Sequence, residues 1–155
     1  MELAYPRGAS YMKTMTETVG PTEDELALIY DGQCPVCTAY SCSVGVDDQA
    51  GGLRRIDARS DDRLVRQATD HGLDLDDGMV VVYKGELHHG ADALHLMATL
   101  APRHGIRNRV NRLLFGSKPL ARMSYPLLRA GRNTLLRLLG RKKIGNLDGT
   151  RKAPR

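Results

Sequence analysis

Cys34 and Cys37 enclose Pro35 and Val36, and Asp31 stands three residues upstream of the first cysteine. A CxxC pair suits two-electron thiol–disulfide exchange: one sulfur attacks a disulfide, and the second resolves the mixed disulfide that forms. The attacking species is the thiolate, so anything that favours a sulfur anion over a thiol matters. Pro35 falls where the first residue of a helix would, with Cys34 immediately ahead of it. The Cys34 sulfur would then lie beside unpaired backbone N–H groups and the positive end of the helix dipole. Cys34 is therefore the expected outer, attacking cysteine. Cys37, one turn further in and on the buried side, is the expected resolving partner. The bland alternative is a pair of unreactive structural cysteines.

The surrounding elements can be read from spacing. Leu26–Tyr30 is apolar and short enough for a buried strand, stopped by the turn signal Asp31-Gly32. The helix opened by Pro35 is expected to run to about Val46, with Cys37, Tyr40, Ser41 and Val44 on one face. Asp47 to Gly52 reads as a loop and Leu53–Asp57 as a second strand. Ser60-Asp61-Asp62 starts a helix carrying Leu64, Val65, Ala68 and His71, closed by Gly72. Met79–Tyr83 is a strong strand, turned by Lys84-Gly85 into Glu86–His89. A further helix begins at Gly90-Ala91-Asp92, carries Leu94, Met97, Ala98 and Leu100, and stops at Pro102. The order is βα, βα, ββ, α. A parallel βαβ unit with a hairpin and a closing helix is an α/β, thioredoxin-like arrangement, and CxxC falls at its first helix.

The chain has 155 residues, three cysteines and a formal charge of +5. That length buries an ordinary core without disulfide staples, and three cysteines do not make a disulfide framework. Met1 to Pro21 holds no continuous apolar segment, and no apolar run approaches the roughly 18 residues of a spanning helix. A cytoplasmic, reducing location is the expectation. The charge is unevenly spread: residues 101–155 hold 15 Lys/Arg against the single acid Asp148, and residues 1–100 hold 8 Lys/Arg against 17 Asp/Glu. Such a split fits either two mutually attracting faces or a basic segment with an anionic partner. Four regions follow: a disordered lead over 1–24, a redox domain over 25–101, a basic amphipathic helical extension over 102–144 packing on the core, and a flexible tail over 145–155. The extension reads as two helices broken near Gly116 to Pro119, with a kink expected near Pro126 and Gly131.

The run Tyr30-Asp31-Gly32-Gln33-Cys34-Pro35-Val36-Cys37 resembles the DCC family of thiol–disulfide oxidoreductases, defined by DGxCxxC at the start of a thioredoxin-like domain. The resemblance runs from about Leu26 to Lys143. It takes in the Val80–Tyr83 strand, the Gly85 turn, the Ala91–Leu94 helix start, and Pro119 and Arg122. It implies a redox role with Asp31, Cys34 and Cys37 as the functional triplet. Thioredoxins place a cis-proline ahead of the strand facing CxxC, where backbone pairs with an extended substrate. Gly78-Met79 holds that place here, which sets ordinary protein substrates in doubt. Asp31 could relay a proton to or from Cys37, or cap its turn as an Asx residue.

The same residues allow other readings. Cys42 lies about 7.5 Å along a helix from Cys37 and about 12 Å from Cys34, too far for a disulfide, so it reads as a small packing residue. One CxxC supplies two metal ligands where zinc usually takes four. His71, His88, His89 and His95 form no second ligand motif, and His88 and His89 point to opposite faces of a strand. Neither a metal nor a cofactor is expected. The basic helices could dock on an anionic membrane or partner. Their lack of tryptophan serves nucleic acid poorly. Otherwise their leucines cover the core while the arginines face water or the acidic half. The expected partners are a thiol or disulfide substrate and an electron donor. A non-catalytic docking module and a CxxC metal protein are the alternatives.

Overall fold

The computed structural model describes residues 25–45, 52–102 and 105–148. The lead over 1–24, most of the Asp47–Gly52 loop and residues 149–155 lie outside them. Four strands form one sheet: β1 (Ala27–Tyr30), β2 (Arg54–Asp57), β3 (Val80–Tyr83) and β4 (Glu86–His89). The spatial order is β2-β1-β3-β4. β1 runs parallel to β2 with Ile29 opposite Ile56, and antiparallel to β3 with Leu28 opposite Val81. β3 and β4 form the hairpin, turned through Lys84 (φ 50) and Gly85 (φ 78). Two consecutive positive φ values are what a two-residue turn between right-twisted strands requires.

Side-chain alternation along β1 divides the core. Ala27 and Ile29 face one side, packing with Ile56, Val80, Val82 and with Leu64, Val65 and Ala68 of α2 (Arg63–Asp70). Leu26 and Leu28 face the other, against Val81, Val44 after α1 (Pro35–Ser43), and Ala93 and Met97 of α3 (Ala91–Leu100). Fully buried side chains such as Leu28, Ile29 and Leu64 each contribute about 1.5–3 kcal/mol. The result is a thioredoxin-like α/β fold with an added C-terminal helical layer.

α4 (Ile106–Phe115) and α5 (Lys118–Leu138) form that layer. Phe115 and Ala121 pack on Leu94 and Ala98 of α3, with Tyr125 partly buried beside them. The leucines expected to do this covering are largely turned outward, including Leu113, Leu114, Leu127, Leu128, Leu138 and Leu139. α5 continues as one helix through Pro126. Proline removes a single backbone donor, and Pro126 is exposed, so water can satisfy the carbonyl left without it.

Other differences from the sequence reading are local. α1 stops at Ser43, because Val44 is already extended. Residues 145–148, expected to be loose, begin where the Asp76 carboxylate accepts the N–H groups of Ile144 and Gly145 at 2.8 Å. Asn146 bonds to Leu73, Leu75 and Thr69. The acidic Asp74–Asp77 loop thus holds the basic C-terminal segment. No helix among the described residues is long and apolar enough to cross a membrane.

Candidate active site

β1 ends at the CxxC turn, and that turn is closed by carboxylates. The Asp31 carbonyl accepts the Cys34 N–H at 3.0 Å. Asp31 Oδ1 accepts the Gln33 N–H at 3.0 Å, the Asx turn anticipated from sequence. At Gly32 the neighbour is Asp57 of β2, whose Oδ1 accepts the Gly32 and Arg59 N–H groups at 3.1 and 3.0 Å. A Cβ on residue 32 would overlap that carboxylate, so the glycine lets two strand ends approach.

Cys34 is the N-cap of α1, and its Sγ accepts the Cys37 N–H at 3.4 Å. This is the helix N-terminal placement read from Pro35. The exposure differs from expectation: Cys34 is fully buried rather than outermost, and Cys37 is nearly so. It is Cys37 that lines an apolar cavity of about 270 Å³, with Val36, Tyr40, Met79, Leu94, Leu114 and Leu128. Both cysteines are unbridged thiols. Burial pushes the Cys37 thiol up to about 12, and the adjacent Cys34 adds to the rise. Cys37 therefore holds its proton and can offer it to the neighbouring sulfur.

Above the sulfurs sits Arg132 of α5. Its Nη2 donates to Asp31 Oδ2 at 3.2 Å, and its Nη1 to the Asp76 carbonyl. Arg59 reaches Asp31 Oδ1 at 2.9 Å and the Lys142 carbonyl at 2.6 Å. Asp31 is buried, and its charge is matched by these two guanidinium groups. The positive charge of Arg132 opposes the rise at Cys37. Burial alone would lower the Arg132 pKa, but Cys37, Cys34 and Asp31 raise it on balance, so it stays charged. Its buried Nε–H has no hydrogen-bond partner among the described residues.

α5 also contributes Tyr125, whose hydroxyl donates to the Asp77 carbonyl. Its phenol end lies where a Cβ on Gly78 or Gly90 would stand. Tyr125 thus covers the Gly78 position, and together with Arg132 it takes up two backbone carbonyls of the 76–78 segment.

Sequence reasoning placed Asp31, Cys34 and Cys37 together, and the structure brings them together. It missed Arg132, Arg59 and Tyr125. The available signal was spacing: Tyr125, Leu128, Arg129 and Arg132 fall at i, i+3, i+4 and i+7, one stripe of a helix. Cys42 is exposed rather than packed. The histidines are dispersed: His89 bonds to the Asp74 carbonyl and His95 to the Phe115 carbonyl. No cluster of three or more His, Cys, Asp or Glu suited to a metal occurs among the described residues.

A thioredoxin-like sheet presenting CxxC at the N-terminus of its first helix defines a class of redox proteins. Residues 28–138 match the family described as DCC1-like thiol-disulfide oxidoreductase, and the chain belongs to that family. No curated protein and no solved structure matches it.

Proposed function

We propose that the protein is a thiol–disulfide oxidoreductase in which Cys34 attacks and Cys37 resolves. The observation that carries this reading is the Cys34 Sγ, which accepts the Cys37 N–H at the helix N-terminus with the Arg132 charge alongside. A backbone N–H donor, a helix N-terminus and a guanidinium together suit a sulfur that attacks. Cys37, whose thiol pKa is raised to about 12, stays protonated until its turn comes.

In the forward direction the Cys34 thiolate attacks one sulfur of a substrate disulfide. A Cys34–substrate disulfide forms, and the other substrate sulfur leaves as a thiolate that takes up a proton. Cys37 then gives up its proton and attacks the Cys34 sulfur, releasing the second substrate thiolate. The substrate gains two electrons, and Cys34–Cys37 becomes a disulfide that a thiol reductant must reduce again. Asp31 serves this chemistry as a positioning residue, through Arg132 and through the turn. The cavity lined by Cys37 is the approach to the dithiol, and its lining favours an apolar group beside Cys37. Tyr125 and Arg132 occupy backbone that an extended peptide would use, which favours small or side-chain-presented disulfides.

Cys37→Ser tests the assignment. It should accumulate a mixed disulfide through Cys34 when offered a small apolar disulfide, and Cys34→Ser should accumulate none. If both variants trap equally, or the native protein reduces no disulfide, the reading is wrong.

A further inference from the structure

We propose that the outer face of α4 and α5 docks the protein on an anionic lipid bilayer. On α4, Ile106, Val110, Leu113 and Leu114 fall at i, i+4, i+7 and i+8, one stripe of the helix, and all four are exposed. On α5, Leu120, Met123, Leu127 and Leu138 fall at i, i+3, i+7 and i+18, again on one side and again exposed. Exposed apolar stripes of this kind mark a binding face on a domain surface. The core does not need these side chains, because Phe115, Ala121 and Tyr125 already make the contact with α3.

The charge on the same two helices selects the occupant. Residues 105–148 carry 11 Lys/Arg and one acid, Asp148. Arg122, Arg129 and Arg132 pair with Asp92, Asp77 and Asp31. Arg107, Arg109, Lys118, Arg137, Arg141, Lys142 and Lys143 make no ion pair among the described residues and are exposed. Arg107 and Arg109 flank the α4 stripe. Apolar side chains between unpaired cations fit an anionic headgroup layer with acyl chains behind it. A second copy of this face would bring like charges together and is disfavoured by the same count.

Docking there has a consequence for the dithiol. Leu114 and Leu128 belong to the exposed apolar surface and also line the cavity beside Cys37, with half-exposed Val36 at its edge. The cavity then opens at the bilayer surface, where lipid-soluble or membrane-presented disulfides are concentrated. The docking itself does not rest on the redox reading, so a failed reductase assay leaves it standing, and failed docking leaves the redox site intact.

The test is co-sedimentation of the full chain with phosphatidylcholine vesicles containing about one third phosphatidylglycerol, against pure phosphatidylcholine. Binding should be roughly tenfold stronger to the anionic vesicles and should be lost as salt rises from about 0.05 to about 0.5 M. Leu113→Asp with Leu127→Asp should weaken binding by roughly tenfold or more. Those side chains are 72% and 78% exposed, so the variant should keep its melting temperature. The chain has no tryptophan, so Leu127→Trp supplies a single reporter whose emission should shift to the blue on the anionic vesicles alone. Equal binding to neutral vesicles, no binding to either, or concentration-dependent dimers that Leu127→Asp abolishes without any vesicle binding would each overturn the proposal.

Discussion

Arg132 and Asp31 stand 101 residues apart in the chain, yet the arginine Nη2 donates to the carboxylate at 3.2 Å beneath a nearly closed surface. The last long helix is thereby tied to the turn that presents the dithiol. The two ends of the family match meet at the place where the chemistry is proposed.

Replacing Arg132 tests both its structural and its electrostatic part. Arg132→Gln leaves Asp31 with Arg59 as its remaining ion-pair partner. Breaking a buried pair costs about 3–5 kcal/mol, and the compensation by Arg59 places this loss near the lower end. A purely structural role would stop there. Loss of thiolate stabilisation should also make the reduction potential more negative, by about 30 mV for each ~1.4 kcal/mol of support removed from the reduced form. Arg132→Lys should recover part of the potential. An unchanged potential in Arg132→Gln would refute the electrostatic role.

Asp31→Asn separates positioning from proton relay. A positioning carboxylate, once neutralised, should slow resolution of the Cys34 mixed disulfide by a similar factor at every pH, alongside a loss of thermal stability. A relay would instead remove one limb of the pH–rate profile. Stopped-flow release of a chromogenic thiol reads the difference, and a uniform slowing is expected.

Gly78 and Tyr125 should be energetically coupled. In Gly78→Ala the new Cβ meets the Tyr125 hydroxyl first and the Gly90 Cα next, an overpacking expected to cost about 1–3 kcal/mol. Tyr125→Phe alone loses the bond to the Asp77 carbonyl, worth about 1 kcal/mol. With the hydroxyl gone the alanine has more room, so the double variant should be more stable than the two losses summed. Denaturant unfolding of all four proteins completes the cycle, and strict additivity would contradict the contact.

The buried Cys37 thiol makes stability fall in alkali. Its pKa stands at about 12 in the fold against an ordinary thiol value of 9.0, so between those values the folded state holds a proton that the unfolded chain has released. Stability is complete below pH 9 and should decline above it by up to about 1.4 kcal/mol per pH unit. Cys37→Ala should lack this component. Urea midpoints of the two reduced proteins between pH 8 and 10.5 give the comparison, and parallel curves would count against the burial of Cys37.

Cys42 provides the control. It is exposed on α1 and unbridged, so Cys42→Ser should change stability by less than about 0.5 kcal/mol. The redox potential and the mixed-disulfide yield of Cys37→Ser should be untouched. A change in either would mean that Cys42 exchanges with the CxxC pair.

The family match extends the DGxCxxC reading to residues 28–138. Local sequence carried much of the fold because its signals act over a few residues. Alternation set the faces of β1, Pro35 set the start of α1, Asp62 capped α2 by accepting the Leu64 N–H, and Lys84-Gly85 turned the hairpin. The C-terminal part resisted the same reasoning. In a helix with both leucines and arginines all round, composition does not say which stripe meets the protein.

By itself, then, the sequence determined the strand–turn–helix that carries Asp31, Cys34 and Cys37, since sterics, capping and turn chemistry are local. Only the tertiary structure decided what surrounds the sulfurs. Burial of both cysteines, the cavity at Cys37, the Tyr125 cover on Gly78 and the Arg132–Asp31 contact all depend on how α5 crosses the sheet end. That crossing follows from long-range packing of Phe115, Ala121 and Tyr125 on α3, and from acidic residues near the site drawing in basic ones from the far end of the chain.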